Sequence, residues 1–308
     1  MRICVIGLGS IGSRHIKNMY EIYGNSVYID ILRSGQGGEI PFDIKFIVND
    51  VYFRHEDLPK GYDAIFITNP TSIHYKTLIE CQDYADNFFI EKPVFETGEE
   101  DITQFAGHVD KIYYVACPLR YMNVIQYLKQ CVDFSEVYSI RCISSSYLPD
   151  WRPNIDYRNT YSAHKHLGGG VAIDLIHEWD YLCYLVGKPF AVYNFKGKKS
   201  NLEIDSDDIA VYIAEYNHFM LELHLDYFGR VPTRKIELYT KKDVLEADLI
   251  KQTITYKRTG KVIEMYEDRD VYQKRELKHF MDIINRKCDN DNDIVNACDM
   301  LRLARGNQ

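Results

Sequence analysis

The sequence predicts an α/β chain of two domains, a doubly wound parallel sheet at residues 1–121 followed by an α+β domain at 122–308 with a large, mostly antiparallel open sheet. Three observations predict it. A glycine-rich turn, Gly7-Leu8-Gly9-Ser10-Ile11-Gly12, stands between a short apolar run and a helical pattern. Short apolar runs then alternate with helical spacing to about Tyr121, which implies a parallel sheet wrapped on both faces. Beyond that point the runs lengthen and alternate polar with apolar, as strands do when one face of a sheet meets solvent.

In order, residues 2–6 read as a strand and 11–23 as a helix with helix-compatible spacing at Ile11, His15, Ile16, Met19 and Ile22. Residues 27–32, 45–48, 64–68, 88–90 and 112–116 read as short buried strands. Helices are predicted over 71–84, opened by a cap after Pro70, and over 99–108, where acidic residues stand in the first turn. A helix over 122–132 leads into the second domain, with strands at 136–146, 209–216, 220–227 and 234–239. Between the first two of these lies a polar, aromatic and glycine-rich insertion, 147–170, then an apolar helix over 171–186. Long irregular segments inside a compact domain are usually functional loops. Two helices, 272–286 and 294–304, close the chain.

At 308 residues the chain is comfortable for two domains, each with a core of its own. Net charge is −8 with Lys and Arg dispersed, so no basic stripe exists to neutralise a phosphate backbone, and no nucleic-acid partner is expected. The sequence lacks a run of about 18 apolar residues and any signal-peptide pattern, so no membrane role and a cytoplasmic location are expected. Eight scattered cysteines include no CxxC pair or short Cys/His spacing, and are expected to be buried reduced thiols with no metal.

The glycine turn carries the first chemistry. Gly7 permits the tight turn, Gly9 lets backbone approach a pyrophosphate, and Gly12 lets helix and strand pack closely, with the helix N-terminus facing the anion. Its placement between strand and helix makes it a Rossmann dinucleotide site, formed by Gly7, Gly9, Ser10, Ile11 and Gly12. The carboxylate such a site expects at the end of the second strand is missing, because Asp30 is followed by Ile31 and Leu32 and falls inside the strand. Arg33 and Ser34 stand at the tip instead and suit a 2′-phosphate, which favours NADP over NAD. Asn69, Pro70 and Thr71, with His74 behind them, follow the fourth strand at the ligand-binding edge, and Glu91-Lys92-Pro93 follows the fifth.

In the second domain Gly168-Gly169-Gly170 precedes Asp174 and His177, whose spacing of three puts them on one helix face, where a carboxylate can orient an imidazole. Trp151, Arg152, Tyr157, Arg158 and Tyr161 in the insertion offer stacking faces and phosphate-grade cations.

These motifs, in this order, resemble the glucose-fructose oxidoreductase, inositol dehydrogenase and rhizopine-catabolism family, Gfo/Idh/MocA. The resemblance implies NAD(P)-dependent hydride transfer at a carbinol carbon. Lys92 takes the place of the lysine that meets nicotinamide and substrate, while Asp174 and His177 take those of the Asp and His that complete the catalytic group. Many members place the His four residues after the Asp; here the gap is three and Glu178 occupies the fourth place. Tyr147 to Arg158, and Leu225-Asp226-Tyr227 with Arg230, look like a branch linked to bacterial cell-surface sugars, which implies a sugar, nucleotide-sugar or nonulosonate substrate whose phosphate or carboxylate meets Arg120, Arg152 or Arg158. A homodimer or homotetramer through the second sheet is also expected. The alternative reading is a dinucleotide-binding regulator of the same fold without turnover.

Overall fold

A computed structural model describes residues 1–107 and 110–306. They form two compact units, residues 1–118 with 269–299, and residues 119–268 with the C-terminal end of the chain. The partition corrects the expectation of two consecutive domains, since 269–299 return to the first unit. No helix among the described residues is long and apolar enough to cross a membrane.

The first unit holds six parallel strands, β1 (Arg2–Ile6), β2 (Tyr28–Leu32), β3 (Val48–Tyr52), β4 (Ala64–Ile67), β5 (Asn87–Ile90) and β6 (Ile112–Val115), in the order β3-β2-β1-β4-β5-β6. Helices α1 (Ser10–Tyr23), α2 (Phe42–Lys45) and α3 (His74–Cys81) belong to the same unit. The reversal of strand order beside β1 is where a doubly wound sheet opens a crevice at its carboxyl edge.

Three local expectations are corrected. The strand expected at 45–48 begins only at Val48, as β3, because Pro41 starts the helical turn α2, its carbonyl accepting from the Ile44 and Lys45 N–H groups, both at 3.0 Å. The helix expected from Thr71 begins as a 3₁₀ turn over Thr71–Ile73 without a side-chain cap, and α3 starts only at His74. Residues 99–107 form turns rather than a helix, and His108, the expected helix end, lies outside the described residues. There Glu100 accepts from the Thr97 and Gly98 N–H groups and Asp101 from that of Thr103, so the acidic side chains close local turns in competition with helix formation.

The second unit has α4 (Asn123–Cys131), α5 (Val171–Asp174), α6 (His177–Val186) and eight strands: β7 (Val137–Tyr147), β8 (Ala191–Gly197), β9 (Ile209–Glu215), β10 (Met220–Asp226), β11 (Phe228–Thr240), β12 (Val244–Asp248), β13 (Thr253–Tyr256) and β14 (Lys261–Glu264). Their order is β14-β13-β12-β11-β7-β10-β9-β8, antiparallel apart from the β10–β7 pair. Period-two burial fixes the register. Ala210, Tyr212 and Ala214 of β9 and Leu221, Leu223 and Leu225 of β10 face inward, where Trp179 meets Tyr212 edge-on at 5.2 Å.

Helix α7 (Arg269–Ile284) explains why the chain returns to the first unit. Phe280 packs among Phe66 of β4, Phe89 of β5 and Tyr114 of β6 with ring centroids 5.3 to 5.8 Å away. The outer edge of β6 is then covered, since Val115 and Asn292 exchange hydrogen bonds of 2.8 and 2.7 Å. Helix α8 (Ile294–Arg305) follows. None of the eight cysteines forms a disulfide; Cys131 and Cys288 are exposed and Cys183 partly so, against the expectation that every thiol is buried.

Candidate active site

At the carboxyl edge of the first sheet, the Gly7 N–H donates to Leu32 of β2, and its carbonyl accepts the Thr68 hydroxyl at 2.7 Å. Gly7 has φ +95°, and a Cβ there would lie 2.7 Å from the Asn69 backbone; a Cβ on Gly12 would lie 2.3 Å from the Gly7 carbonyl oxygen. Side chains at either position would break the turn. At Gly9 a Cβ would meet nothing within 4 Å, so this part of the turn faces open space. Helix α1 begins next to it with no side-chain cap and no acidic residue in its first turn. Its first N–H groups are thus available to an anion.

The residues present fit a dinucleotide. The Asn69 Oδ1 is buried without a hydrogen-bond partner while its Nδ2 donates to Thr77 at 2.8 Å. An acceptor left this way at a ligand edge calls for a donor. Asp30 is fully buried and accepts from the Arg2 guanidinium at 2.8 Å and from the Tyr62 hydroxyl at 2.7 Å. No carboxylate of β2 is therefore presented to a ribose. Arg33 and Ser34 follow the strand; Arg33 donates from its guanidinium to the Gly38 carbonyl, and Ser34 is exposed.

His74 is buried, with Nε2 2.9 Å from the Asn69 carbonyl and Nδ1 3.1 Å from that of Val94, so it ties the loop after β4 to the segment after β5. Burial holds its pKa below the ordinary value, against the raising pull of those carbonyls and of Glu91. Glu91 reaches Nε2 of His15, a 1% exposed residue of α1, at 2.6 Å. Burial pushes the Glu91 carboxyl up, but the hydrogen bond and charge of His15 and the charge of Lys92 overcome it and hold it below the usual range. His15 was not among the sequence candidates. Glu91 is thus a brace between α1 and the end of β5, and it fixes the backbone from which Lys92 projects.

In the second unit the expected single helix over 171–186 is two, α5 and α6, broken at Leu175, where ψ is 29°. The helical-face argument for Asp174 and His177 therefore fails. Asp174, 7% exposed, accepts from the Tyr161 and Tyr227 hydroxyls, each at 2.5 Å, one on each carboxylate oxygen. Burial and then the Asp174 charge raise the pKa of both tyrosines, so both hydroxyls stay protonated as donors. Tyr227 is a site residue that periodicity did not reveal, being one apolar position in a strand-like run. Gly169 comes so close to residue 161 that a Cβ would lie 2.1 Å from its carbonyl oxygen, which is why the segment before Asp174 needs glycine there. His177, at the start of α6, is partly buried. Glu178 behind it is fully buried and paired with Arg234 at 2.6 Å.

The proposed substrate cations divide. Arg120 is corrected, since it is 3% exposed and forks onto Asp180 at 2.6 and 3.0 Å, with Tyr184 against its face. Arg158 is engaged by Asp156 of its own loop and by Glu203 of the segment between β8 and β9. Trp151 donates to Ser146 at 2.9 Å and meets Tyr227 edge-on. Arg152 is exposed, and Tyr157 and Trp151 are partly buried. A cavity of about 620 Å³ lies at the amino ends of β5 and β6, away from the nucleotide edge. Among the described residues one group, His164, His166 and Asp205, brings three metal-type ligand atoms within 4.8 Å of one another, on exposed loops.

The reversed strand order and the glycine turn give the first unit the Rossmann architecture. Residues 1–115 of the chain match the Gfo/Idh/MocA oxidoreductase family model, described as an NAD-binding Rossmann fold. Over its whole length it has the fold of UDP-N-acetylglucosamine 3-dehydrogenase GnnA from Acidithiobacillus ferrooxidans, at 20% identity and TM-score 0.78, covering 99% of this chain and 96% of that one. The WlbA dehydrogenase from Bordetella pertussis, solved with NADH and UDP-GlcNAcA, aligns at 15% identity and TM-score 0.77, covering 99% and 94%. The myo-inositol 2-dehydrogenase of Thermotoga maritima is 26% identical over 197 residues, 61% of this chain and 55% of that protein. The chain spans about half the length of the curated relatives it matches.

Proposed function

We propose that the protein is a nicotinamide-dependent oxidoreductase acting on a carbinol carbon of a sugar, nucleotide-sugar or related polyol. The observation that carries the reading is the glycine cradle beside the end of β4, with the unpartnered Asn69 acceptor at its edge. Relatives named for inositol and UDP-N-acetylglucosamine oxidation support the substrate class. Nicotinamide, when bound, supplies the hydride acceptor or donor. Gly7, Gly9, Ser10, Ile11 and Gly12 hold the pyrophosphate, and Arg33 with Ser34 holds a 2′-phosphate, which favours NADP. His177 takes the hydroxyl proton in oxidation, Asp174 holds and charge-balances it, and Lys92 polarises the substrate oxygen.

We also place a homo-oligomer contact on the open face of the second sheet. Exposed Tyr193 and Phe195 share that face with Glu222 and Arg141, a mixture of apolar and oppositely charged groups that suits self-pairing. The eight unbridged thiols favour a reducing, cytoplasmic setting.

The test is a fluorescence titration of the purified protein with NADPH and NADH, repeated with Arg33→Ala, and then a screen of nucleotide sugars for turnover. NADPH binding that weakens about tenfold or more in the variant, with turnover, supports the reading. Binding without turnover favours the regulator, and failure to bind either nucleotide overturns both.

A further inference from the structure

A second cavity, about 400 Å³, lies wholly within the second unit and is lined by Tyr147, Tyr157, Lys199, Ser200, Asn201, Leu202, Phe228 and Arg230. That size suits a ligand larger than a single ion. Its lining contains two cations and no carboxylate. Among the described residues neither the Lys199 ammonium nor the Arg230 guanidinium has an ion pair. Arg230 instead lies over the Tyr147 ring, 3.7 Å from its centroid, so its charge faces an aromatic surface. The acids nearby are already engaged. Glu203, next along the loop, is held by Arg158 at 3.0 Å, and Asp208 by the loop itself.

The walls are built rather than draped. The fully buried Asp208 carboxylate accepts from the Lys199 N–H at 2.7 Å, the Ser200 N–H at 2.8 Å and the Ser200 hydroxyl at 2.5 Å, and it faces the Lys198 ammonium at 3.3 Å. Lys198 is thereby engaged and Lys199 is left for the cavity. On the opposite wall Asp226 accepts from the Phe228 and Gly229 N–H groups at 3.0 and 2.8 Å, fixing the turn that presents Phe228 and Arg230. The Tyr227 N–H donates to the Asp208 carbonyl, and the Leu148 N–H to that of Tyr227, so three segments share one frame. Two cations carried on one hydrogen-bonded backbone frame, with no carboxylate in the lining, give the cavity a positive potential that suits an oxyanion.

We propose that this cavity binds a phosphorylated, ring-bearing group, with the phosphate oxygens between Lys199 and Arg230. The ring lies against Tyr157 and Phe228, and the Asn201 amide and Tyr157 hydroxyl supply donors. Guanidinium matches a phosphate with paired N–H bonds and the ammonium acts as a point charge. The inference rests on the dehydrogenase reading in one respect: the phosphate is taken to be that of the substrate. It moves the anion-recognising role from Arg120 and Arg158, which the fold engages internally, to Lys199 and Arg230.

The test is isothermal titration of the full chain with uridine diphosphate and with inorganic pyrophosphate, in the presence and absence of NADH, for the wild type, Lys199→Ala, Arg230→Ala and the double variant. Each single variant is expected to weaken uridine diphosphate at least tenfold, the pair to abolish measurable binding, and added salt to weaken the wild type. NADH affinity is expected to be unchanged in the variants, which separates loss of this site from loss of fold. Equal affinity in wild type and double variant, or no binding to a wild type that binds NADH, overturns the proposal. If NADH fails to bind while uridine diphosphate binds through Lys199 and Arg230, the cavity stands and the dehydrogenase reading falls. In turnover assays, uridine diphosphate competing with a nucleotide-sugar substrate, with KM raised more than kcat is lowered in Arg230→Ala, supports assignment to the substrate's phosphate. Non-competitive behaviour overturns that assignment.

Discussion

Asp174 is the residue whose environment most constrains the chemistry. Two tyrosine hydroxyls donate to it, one on each oxygen. Removing one hydroxyl leaves a carboxylate oxygen in a buried site short of a donor, which costs about 1–3 kcal/mol. Tyr227→Phe is therefore expected to lower stability by that amount in denaturant unfolding and to lower kcat, with NADH affinity unchanged. An unaltered kcat would remove Asp174 and its clamp from the reaction. His74 carries the pH dependence. Its folded pKa lies below the ordinary value of about 6.5, so the unfolded chain binds a proton that the native chain refuses. The stabilisation is present above that value and is lost as pH falls below it, at up to about 1.4 kcal/mol per pH unit. Unfolding of wild type and His74→Asn at about pH 7.5 and 5.5 is expected to show a shallower pH slope in the variant.

Among the elements, the turn from β1 into α1 was legible in full, because a glycine pattern between an apolar strand and a helix has few other uses. A methyl at Gly12 would lie 2.3 Å from the Gly7 carbonyl, a backbone atom that cannot swing aside. Gly12→Ala is expected to cost about 1–3 kcal/mol and to weaken NADH binding at least tenfold in the same fluorescence titration. Strands of regular alternation, such as β9 and β10, were equally legible. What escaped was decided by context. Strand β3 lies at the sheet edge with its middle residues exposed, so it had no apolar run to announce it. The break between α5 and α6 sits in a sequence apolar enough for one helix, and the clamp on Asp174 joins residues 161, 174 and 227, a separation that no local pattern encodes. His15 and Glu91 meet across 76 residues in the same way.

For the whole molecule, the chain's return to its first unit is the least legible feature, since an amphipathic C-terminal helix does not say which sheet it covers. Phe280 identifies the sheet by its contacts with Phe66, Phe89 and Tyr114. Phe280→Ala is expected to destabilise the protein by about 3–5 kcal/mol and to lower the temperature at which NADH stops protecting it in thermal melts. Melting unchanged from wild type would show that the C-terminal segment is not part of the first core.

The central claim is that Lys92, Asp174 and His177 serve hydride transfer on a Rossmann scaffold whose hold on the cofactor rests mainly on the glycine turn. It is tested most directly by measuring NAD(P)H binding and steady-state turnover side by side for Lys92→Ala and His177→Ala. The account predicts cofactor affinity within about threefold of wild type, with turnover lowered by about 10² or more in each variant. Turnover at the wild-type rate in either variant would contradict it.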